Sequence, residues 1–214
     1  MSSQNPEIAA EHSHAHGQIH RDDTGSKMGM WLFLFTEVLL FGGMFILYAA
    51  YRYEYSDAFV AAALRLDPIL GAINTVILLT SSLTVVLGIV SIQKKKVKLC
   101  MFFLWVTQAC GLIFLVNKYF EWTHKIHLGL YPGGPMMEEL SKGETVFYGL
   151  YYVMTGLHGL HVIVGMSFIG VIMYFIAKQK ITHDNFQRLE NSGLYWHLVD
   201  VIWIFLFPLF YLIH

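Results

Sequence analysis

Long runs of apolar residues alternate with short polar segments along this chain. A helix needs about 20 residues to cross a hydrocarbon core ~30 Å thick. Five runs reach that length, at residues 31–51, 68–92, 99–117, 145–177 and 192–213. The pattern therefore predicts an all-α fold, an integral membrane bundle of five transmembrane helices. A buried hairpin of a large soluble protein would account for residues 68–117, but it leaves the other three runs unexplained.

The first 27 residues are polar and differ from the rest of the chain. They have neither the basic start nor the apolar centre of a signal peptide. We expect residues 1–27 to form a disordered cytoplasmic tail and residues 28–214 to form the membrane domain. Four tail histidines make a pattern typical of metal-binding tracts, although a solvated tail is the interpretation we favour. They are His12, His14, His16 and His20.

Composition agrees with a membrane protein and excludes a nucleic-acid binder. Hydrophobic residues make up 56% of the 214 residues and charged residues 14%, whereas soluble domains average roughly 25% charged residues. The formal net charge of −1 gives no electrostatic basis for binding nucleic acid. Cys100 and Cys110 would lie ~15 Å apart along one helix, too far to form a disulfide.

The connections between the apolar runs predict the orientation of the bundle. Four lysines (Lys94, Lys95, Lys96 and Lys98) crowd the short second loop, and cytoplasmic loops are enriched in lysine and arginine. The N-terminus is therefore expected in the cytoplasm and the C-terminus outside. The third loop, residues 119–143, contains a Pro-Gly-Gly-Pro turn at residues 132–135, and residues 136–143 are expected to extend the fourth helix outward.

Two acidic residues interrupt apolar runs, where a carboxylate is costly and needs a reason. Glu37 and Asp200 would lie ~13 Å and ~12 Å from the cytoplasmic ends of their helices. Each carboxyl group either handles protons or contacts a partner, or else fixes helix packing. For Asp200 we favour packing, because His197 lies one turn earlier on the same helical face. Glu37 has no partner within its own helix, and both roles stay open.

Three histidines in the last two runs are candidates for a metal or haem site. His158 and His161 share one helical face, and His197 lies on the next helix. Helix packing explains them better, because Thr155 and Gly159 make a small-residue face across which histidines can hydrogen-bond. Glu121 follows the third run beside aromatic residues, where a carboxylate at the outer membrane interface is expected. We find no self-contained catalytic site.

Five stretches resemble subunit III of the haem-copper respiratory oxidases. The first run contains KMGMWLFLFTEVLLFGGMF, the second PILGAINTVILLTSSLTV, and the third ends in FLVNKYFEW. The last two runs contain TGLHGLHVIVG and YWHLVDVIWIFLF, which are the most specific signatures. Together these stretches occur in order between residues 27 and 213. The family has seven helices divided into groups of two and five, and this chain resembles its shortened five-helix bacterial form.

The resemblance implies a role inside a larger enzyme. Subunit III carries no haem or copper, packs directly on subunit I and assembles with subunit II and other oxidase subunits, which hold those cofactors. It supports proton uptake and sustained turnover, partly by holding phospholipid. The residues at matching family positions are Glu37, Glu121, His158, His161, His197 and Asp200, and none of them is catalytic. The resemblance also implies an aerobic respiratory complex in the bacterial inner membrane.

The electron donor and two rival functions stay open. Glu37 matches a family glutamate that quinol oxidases often replace by aspartate, so we favour a cytochrome c oxidase over a quinol oxidase or a relative associated with nitric oxide reductase. A stand-alone proton or solute transporter would use Glu37 and Asp200 as a relay. Five helices do not divide into two equal repeats, which argues against it. A haem-binding membrane enzyme is the third possibility.

Overall fold

The computed structural model describes residues 23–138, 140–182 and 185–213. These residues form six α-helices and one short 3₁₀-helix, Pro135–Glu138. The α-helices are α1 (Asp23–Glu54), α2 (Ser56–Ala63), α3 (Pro68–Gln93), α4 (Val97–His127), α5 (Lys142–Ala177) and α6 (Gln187–Tyr211). Five of them, α1 and α3–α6, are long and apolar enough to cross a membrane. This confirms the predicted all-α membrane bundle.

Local sequence fixes where two of the membrane helices start. Asp67 caps α3, because its carboxylate accepts hydrogen bonds from the amides of Ile69 and Leu70 at 2.9 and 3.3 Å, and Pro68 occupies the first turn. Ser141 and Glu144 form a reciprocal capping box at the start of α5. Each cap satisfies backbone amides that would otherwise lack acceptors at a helix end.

Polar contacts join the inner faces of the central helices. The hydroxyls of Thr84 on α3 and Thr107 on α4 lie 2.8 Å apart. The α6 indoles donate to α3 at two levels, Trp196 to Ser81 and Trp203 to Thr75, each at 3.0 Å. In a bilayer such bonds hold helices together where apolar side chains have little preference between lipid and protein.

Helix α1 lies at the edge of the bundle. Only 11% of its most apolar window is buried, compared with 50% for the corresponding window of α6. The short α2, which the hydropathy pattern did not predict, connects α1 to the bundle and buries Phe59 against Phe147 of α5. Most of the α1 surface is therefore available to lipid or to another protein.

Several helix ends differ from the predicted spans. Helix α1 starts at Asp23, inside the predicted 1–27 tail, and α4 continues to His127 beyond the predicted end at residue 117. The extension of α4 exists because its charged residues Lys118, Glu121 and Lys125 face the inside of the bundle. Hydropathy alone predicts that the helix ends where these charged residues begin, whereas the helix continues past them.

The loop between α4 and α5 is partly as predicted. Gly129 and Gly133 have φ angles of 74° and 81°, which confirms a turn that depends on glycine at this place. Of the expected helical extension over residues 136–143, only Lys142 and Gly143 belong to α5, which begins behind its Ser141 cap, and Pro135–Glu138 forms a separate 3₁₀-helix. The four tail histidines, His12, His14, His16 and His20, lie outside the described residues, so the metal-binding tract stays a prediction.

Candidate functional site

The carboxyl group of Glu37 on α1 contacts the imidazole of His161 on α5. Glu37 Oε2 lies 2.8 Å from His161 Nε2, and the two side chains are 14% and 13% exposed. The partner that Glu37 lacks within its own helix is thus supplied by another helix. Phe41 packs against the His161 ring at 5.2 Å, and the Tyr195 ring stacks on it at 6.5 Å.

The second ring nitrogen of His161 fixes how protons are distributed in this pair. Nδ1 lies 2.8 Å from the carbonyl oxygen of Leu157, and a carbonyl can only accept, so Nδ1 carries a hydrogen. The contact with Glu37 then has two forms, an imidazolium beside a carboxylate or a neutral imidazole beside a carboxylic acid. Both forms are neutral overall and differ by the position of one proton between Nε2 and Oε2.

His158 lies deeper in the bundle and is fully buried. Its ring contacts Phe114 at 5.5 Å and Trp203 at 5.2 Å. Among the described residues, neither of its nitrogens has a hydrogen-bond partner. His158 and His161 therefore have different surroundings although they lie one turn apart on α5.

His197 and Asp200 do not form the pair that we expected. His197 Nδ1 instead contacts the hydroxyl of Ser82 on α3 at 2.6 Å. Asp200 is 3% exposed, and neither of its oxygens has a hydrogen-bond partner within the described part of the chain. The Ser82 hydroxyl is also close to Asp200. The expectation failed because α3 offers a hydroxyl to the same face of α6, and sequence spacing within α6 cannot reveal it.

The small-residue face of α5 is not a close helix contact. In the part of the chain that the structure describes, no atom of another helix lies within 4 Å of the place where a Cβ would sit on Gly159. Thr155 and Gly159 instead line an open groove of about 820 Å³ between α4 and α5. Close approach occurs further along α5, where a Cβ on Gly165 would lie 2.9 Å from the Trp196 ring. The expectation that histidines hydrogen-bond across a close helix contact at Thr155 and Gly159 is therefore wrong.

Glu121 belongs to a buried charge cluster and not to an exposed interface. Lys118 Nζ lies 3.0 Å from Glu121 Oε2, 3.0 Å from the Tyr151 hydroxyl and 2.9 Å from the Tyr211 hydroxyl. Both tyrosines donate to Glu121 Oε1 at 2.7 Å. The Lys118 ammonium also lies 5.4 Å from the Trp203 ring centre. We call these four hydrogen-bonded residues, Lys118, Glu121, Tyr151 and Tyr211, the lysine cluster.

Sequence reasoning missed the lysine cluster, because it placed residues beyond 117 in a loop. A signal was present, since Lys118, Glu121 and Lys125 are spaced by three and four residues and so share one helical face. All three are buried, with exposures of 7%, 7% and 5%. A charged face of this kind at the end of an apolar run indicates a helix that continues inside the protein.

The buried polar groups occupy separate places in the bundle. Glu37 with His161 lies at α1, Ser82 with His197 lies between α3 and α6, and the lysine cluster joins α4, α5 and α6. Over residues 23–138, 140–182 and 185–213, no three His, Cys, Asp or Glu side chains come together in a way that could hold a metal ion. What the described contacts can do is join helices and hold or shift single protons.

Comparison with known proteins gives consistent matches over almost the whole chain. A family model described as cytochrome c oxidase subunit III matches residues 6–214. Cytochrome c oxidase subunit 3 of Alkalihalophilus pseudofirmus is 34% identical over 186 residues, which cover 86% of this chain and 85% of that protein. Cytochrome c oxidase subunit 3 of Thermostichus vulcanus is 34% identical over 221 residues, with 100% and 96% covered.

Proteins described as subunits of quinol oxidases are also similar. The probable quinol oxidase subunit 3 of Staphylococcus saprophyticus is 30% identical over 190 residues, which cover 88% of this chain and 89% of that protein. The family match includes all six helices and every buried polar group described above. It agrees with the resemblance carried by the five sequence stretches. The chain is a multi-pass membrane protein that belongs to the cytochrome c oxidase subunit III family.

Proposed function

We propose that this chain is the subunit III of a proton-translocating haem-copper terminal oxidase, that it has no redox centre of its own, and that it stabilises the catalytic subunit and supports proton uptake. Haem and copper would be held by partner subunits. The chain would act in a bacterial inner membrane with its N-terminus in the cytoplasm. Its contribution to the enzyme would be assembly, proton supply and lipid retention, and not bond-making chemistry.

The observation that carries this proposal is the Glu37–His161 pair. It places one proton in a short contact between a carboxyl and an imidazole, at a half-buried position on the outermost helix. Such a pair can pass one proton between the carboxyl and the imidazole while it stays neutral overall, which matters inside the bilayer because an isolated charge is costly there. A subunit that assists proton supply needs a group of this kind close to a protein or water surface.

The low burial of α1 supports direct packing against subunit I. Large apolar side chains cover the free side of this helix, among them Trp31 at 63% and Leu32 at 68% exposure. Among the described residues, no atom of another element lies within 4 Å of a Cβ position on Gly29 or Gly43, so a neighbouring helix could approach closely there. We propose that subunit I covers part of this face and that phospholipid covers other membrane-facing surfaces.

We propose cytochrome c as the electron donor of the complex. The relatives that are 34% identical are described as cytochrome c oxidase subunits, and Glu37 matches the residue that we associate with that branch. Quinol is the second candidate, because a relative described as a probable quinol oxidase subunit is 30% identical. The complex should oxidise reduced cytochrome c faster than ubiquinol or menaquinol, and the opposite preference would replace the first candidate by the second.

Purification of the tagged chain from its native membrane tests the central proposal. The chain should co-purify with a haem-copper subunit, and the preparation should show a haem Soret band. The same chain made alone in a heterologous host should show no Soret band. A Soret band in the chain made alone would favour a haem-binding enzyme, and a native preparation free of oxidase subunits would favour a stand-alone transporter.

A further inference from the structure

A groove opens toward the membrane between α1 and α6. It measures about 770 Å³, which lies within the usual range for sites that hold small molecules. Two contacts show that α1 and α6 run beside each other along the groove. The Phe45 and Phe205 rings lie 6.1 Å apart, and the Tyr48 hydroxyl donates to the carbonyl of Leu209. Its walls consist of Phe45, Tyr48, Ala49, Arg52, Phe205 and Leu209, with Tyr53 and Ser56 beside them.

The polarity of the groove changes along its length. Phe45 and Phe205 lie at the apolar end, toward the middle of the membrane span. Arg52, Tyr53 and Ser56 lie at the other end, where α1 finishes at Glu54 and α6 finishes at Tyr211. From Phe45 to Arg52 the helix rises ~10 Å, which is most of the ~15 Å thickness of one hydrocarbon leaflet.

Arg52 places a positive charge at the polar end of the groove, and this charge is free to bind an anion. Its side chain is exposed, and among the described residues it forms no ion pair, Glu54 and Asp57 included. The guanidinium lies beside the Tyr48 hydroxyl, at the mouth of the groove. Arginine binds phosphate through two parallel hydrogen bonds, which makes it well suited to a phosphodiester at the level of lipid headgroups.

We propose that this groove binds one phospholipid of the leaflet at the α1 C-terminal end, with its phosphate on Arg52 and one acyl chain between Phe45, Phe205 and Leu209. The inference rests on the proposed lipid-retaining role and assigns to it a lipid class and a set of residues. We call this groove the Arg52 groove. It lies apart from the Glu37–His161 pair, because Glu37 is about two to four helical turns further from the α1 C-terminus than the groove residues of α1.

A phospholipid fits the Arg52 groove better than a partner helix does. A transmembrane helix is apolar over about 20 residues, whereas the groove changes from aromatic to cationic within two turns of α1. A molecule with one anionic end and one apolar end matches that change. The α1 glycines that would admit a close helix lie elsewhere, since none of the eight residues lining the groove is a glycine.

Photolabelling tests the proposal on the complete complex. The complex is placed in nanodiscs of phosphatidylglycerol that carries a diazirine in one acyl chain, and labelled peptides are identified by mass spectrometry. Labels should concentrate on Phe45, Phe205 and Leu209. Ala49→Phe should abolish this labelling because it fills the groove, while Ala50→Phe, on the adjacent exposed residue outside the groove, should not. Equal labelling of all membrane-facing helices would overturn the proposal.

The charge is tested with matched arginine and lysine variants. Arg52→Gln should reduce labelling of the groove roughly fivefold, the effect of one basic residue near a lipid surface, and Arg52→Lys should keep most of it. Lys142→Gln, at an exposed lysine at the start of α5, is the control and should change nothing. Unchanged labelling in Arg52→Gln would overturn the phosphate contact.

Subunit stoichiometry separates this inference from the proposed function. A complex that retains all subunits but shows no groove labelling contradicts the lipid site alone. Cross-linking of the groove peptide to another oxidase subunit in place of lipid would also overturn the lipid site, because a partner would then cover it. Failure to recover any oxidase subunit with the chain would instead contradict the proposed function.

Discussion

The Lys118 ammonium and the Glu121 carboxylate lie 3.0 Å apart, one helical turn from each other, with side chains only 9% and 5% exposed. Two tyrosine hydroxyls complete their hydrogen bonds. An ion pair this well buried contributes little to the free energy of unfolding, because the cost of removing both charges from water offsets their attraction. Removing one partner is different, because the other charge then stays buried without compensation.

We therefore predict that Glu121→Gln destabilises the protein by about 3–5 kcal/mol. The double variant Glu121→Gln with Lys118→Met should recover much of this loss, because no buried charge is left unpaired. Thermal unfolding in detergent measures both effects. The control is Lys27→Gln, which breaks the more exposed pair with Glu190 (56% and 31% exposed) and should cost about 0–1 kcal/mol. A double variant as unstable as Glu121→Gln would contradict the explanation.

Replacement of either member of the Glu37–His161 pair should affect sustained turnover without stopping oxygen reduction. Glu37→Gln and His161→Gln should each leave the haem spectrum and the initial rate of the complex largely intact and shorten its active lifetime. The double variant should be no worse than either single one, because residues that act as a pair are not additive. Initial rate, spectrum and turnover lifetime are measured on the same preparation.

The prediction fails if Glu37→Gln immediately abolishes oxygen reduction while all subunits are present. It also fails if the two single losses add in the double variant. The first result would mean that oxygen reduction requires Glu37, and the second that Glu37 and His161 act separately.

Asp200 should tolerate a neutral isostere better than truncation. Asp200→Asn keeps the shape next to Ser82 and removes a carboxylate that is costly inside a bilayer, so assembly with subunit I and turnover should persist. Asp200→Ala leaves an unfilled space and should lower the yield of assembled complex, with a cost of about 1–3 kcal/mol. Size-exclusion recovery of the complex measures the difference. Equal and complete loss of turnover in both variants, with assembly intact, would indicate a proton role instead.

The orientation of the bundle is tested by a reporter fused after His214. Three lysines form the tight turn between α3 and α4, and a fourth follows in the first turn of α4, so the positive-inside rule predicts that this turn lies in the cytoplasm. With five spans we expect the C-terminus outside, and a reporter that is active only outside the cytoplasm should give a signal. The same reporter inserted in this lysine turn should be silent. The reverse pattern would overturn the orientation.

The number and type of membrane helices could be predicted from hydropathy, since each span has to be apolar along most of its length. The ends could not. In α4 the apolar run stops near Asn117, yet the helix continues to His127. Its charged residues are accommodated there because they contact buried side chains of α5 and α6 and not lipid. Hydropathy measures preference for lipid and does not register such partners.

The members of the candidate site could be predicted better than their partners. Glu37 and Asp200 stand out because a carboxyl is rare in an apolar run, and both are indeed at least half-buried. Their contacts depend on which helices are neighbours, and five helices can be arranged in many ways. His161 is 124 residues from Glu37, and Ser82 is 115 residues from His197. No periodicity within one helix contains that information.

The separation of Glu37 and His161 has a consequence for biogenesis. Chains grow from the N-terminus at ~5–20 residues per second, and 124 residues separate the two side chains, so Glu37 is made roughly 6–25 seconds before His161. During that interval Glu37 has no imidazole to receive or supply its proton, and the cheapest form of an isolated carboxyl in lipid is the uncharged acid. Helix α1 therefore gains its contacts with the bundle late, because the Glu37–His161 pair requires α5 and the hydrogen bond from Tyr48 to Leu209 requires α6.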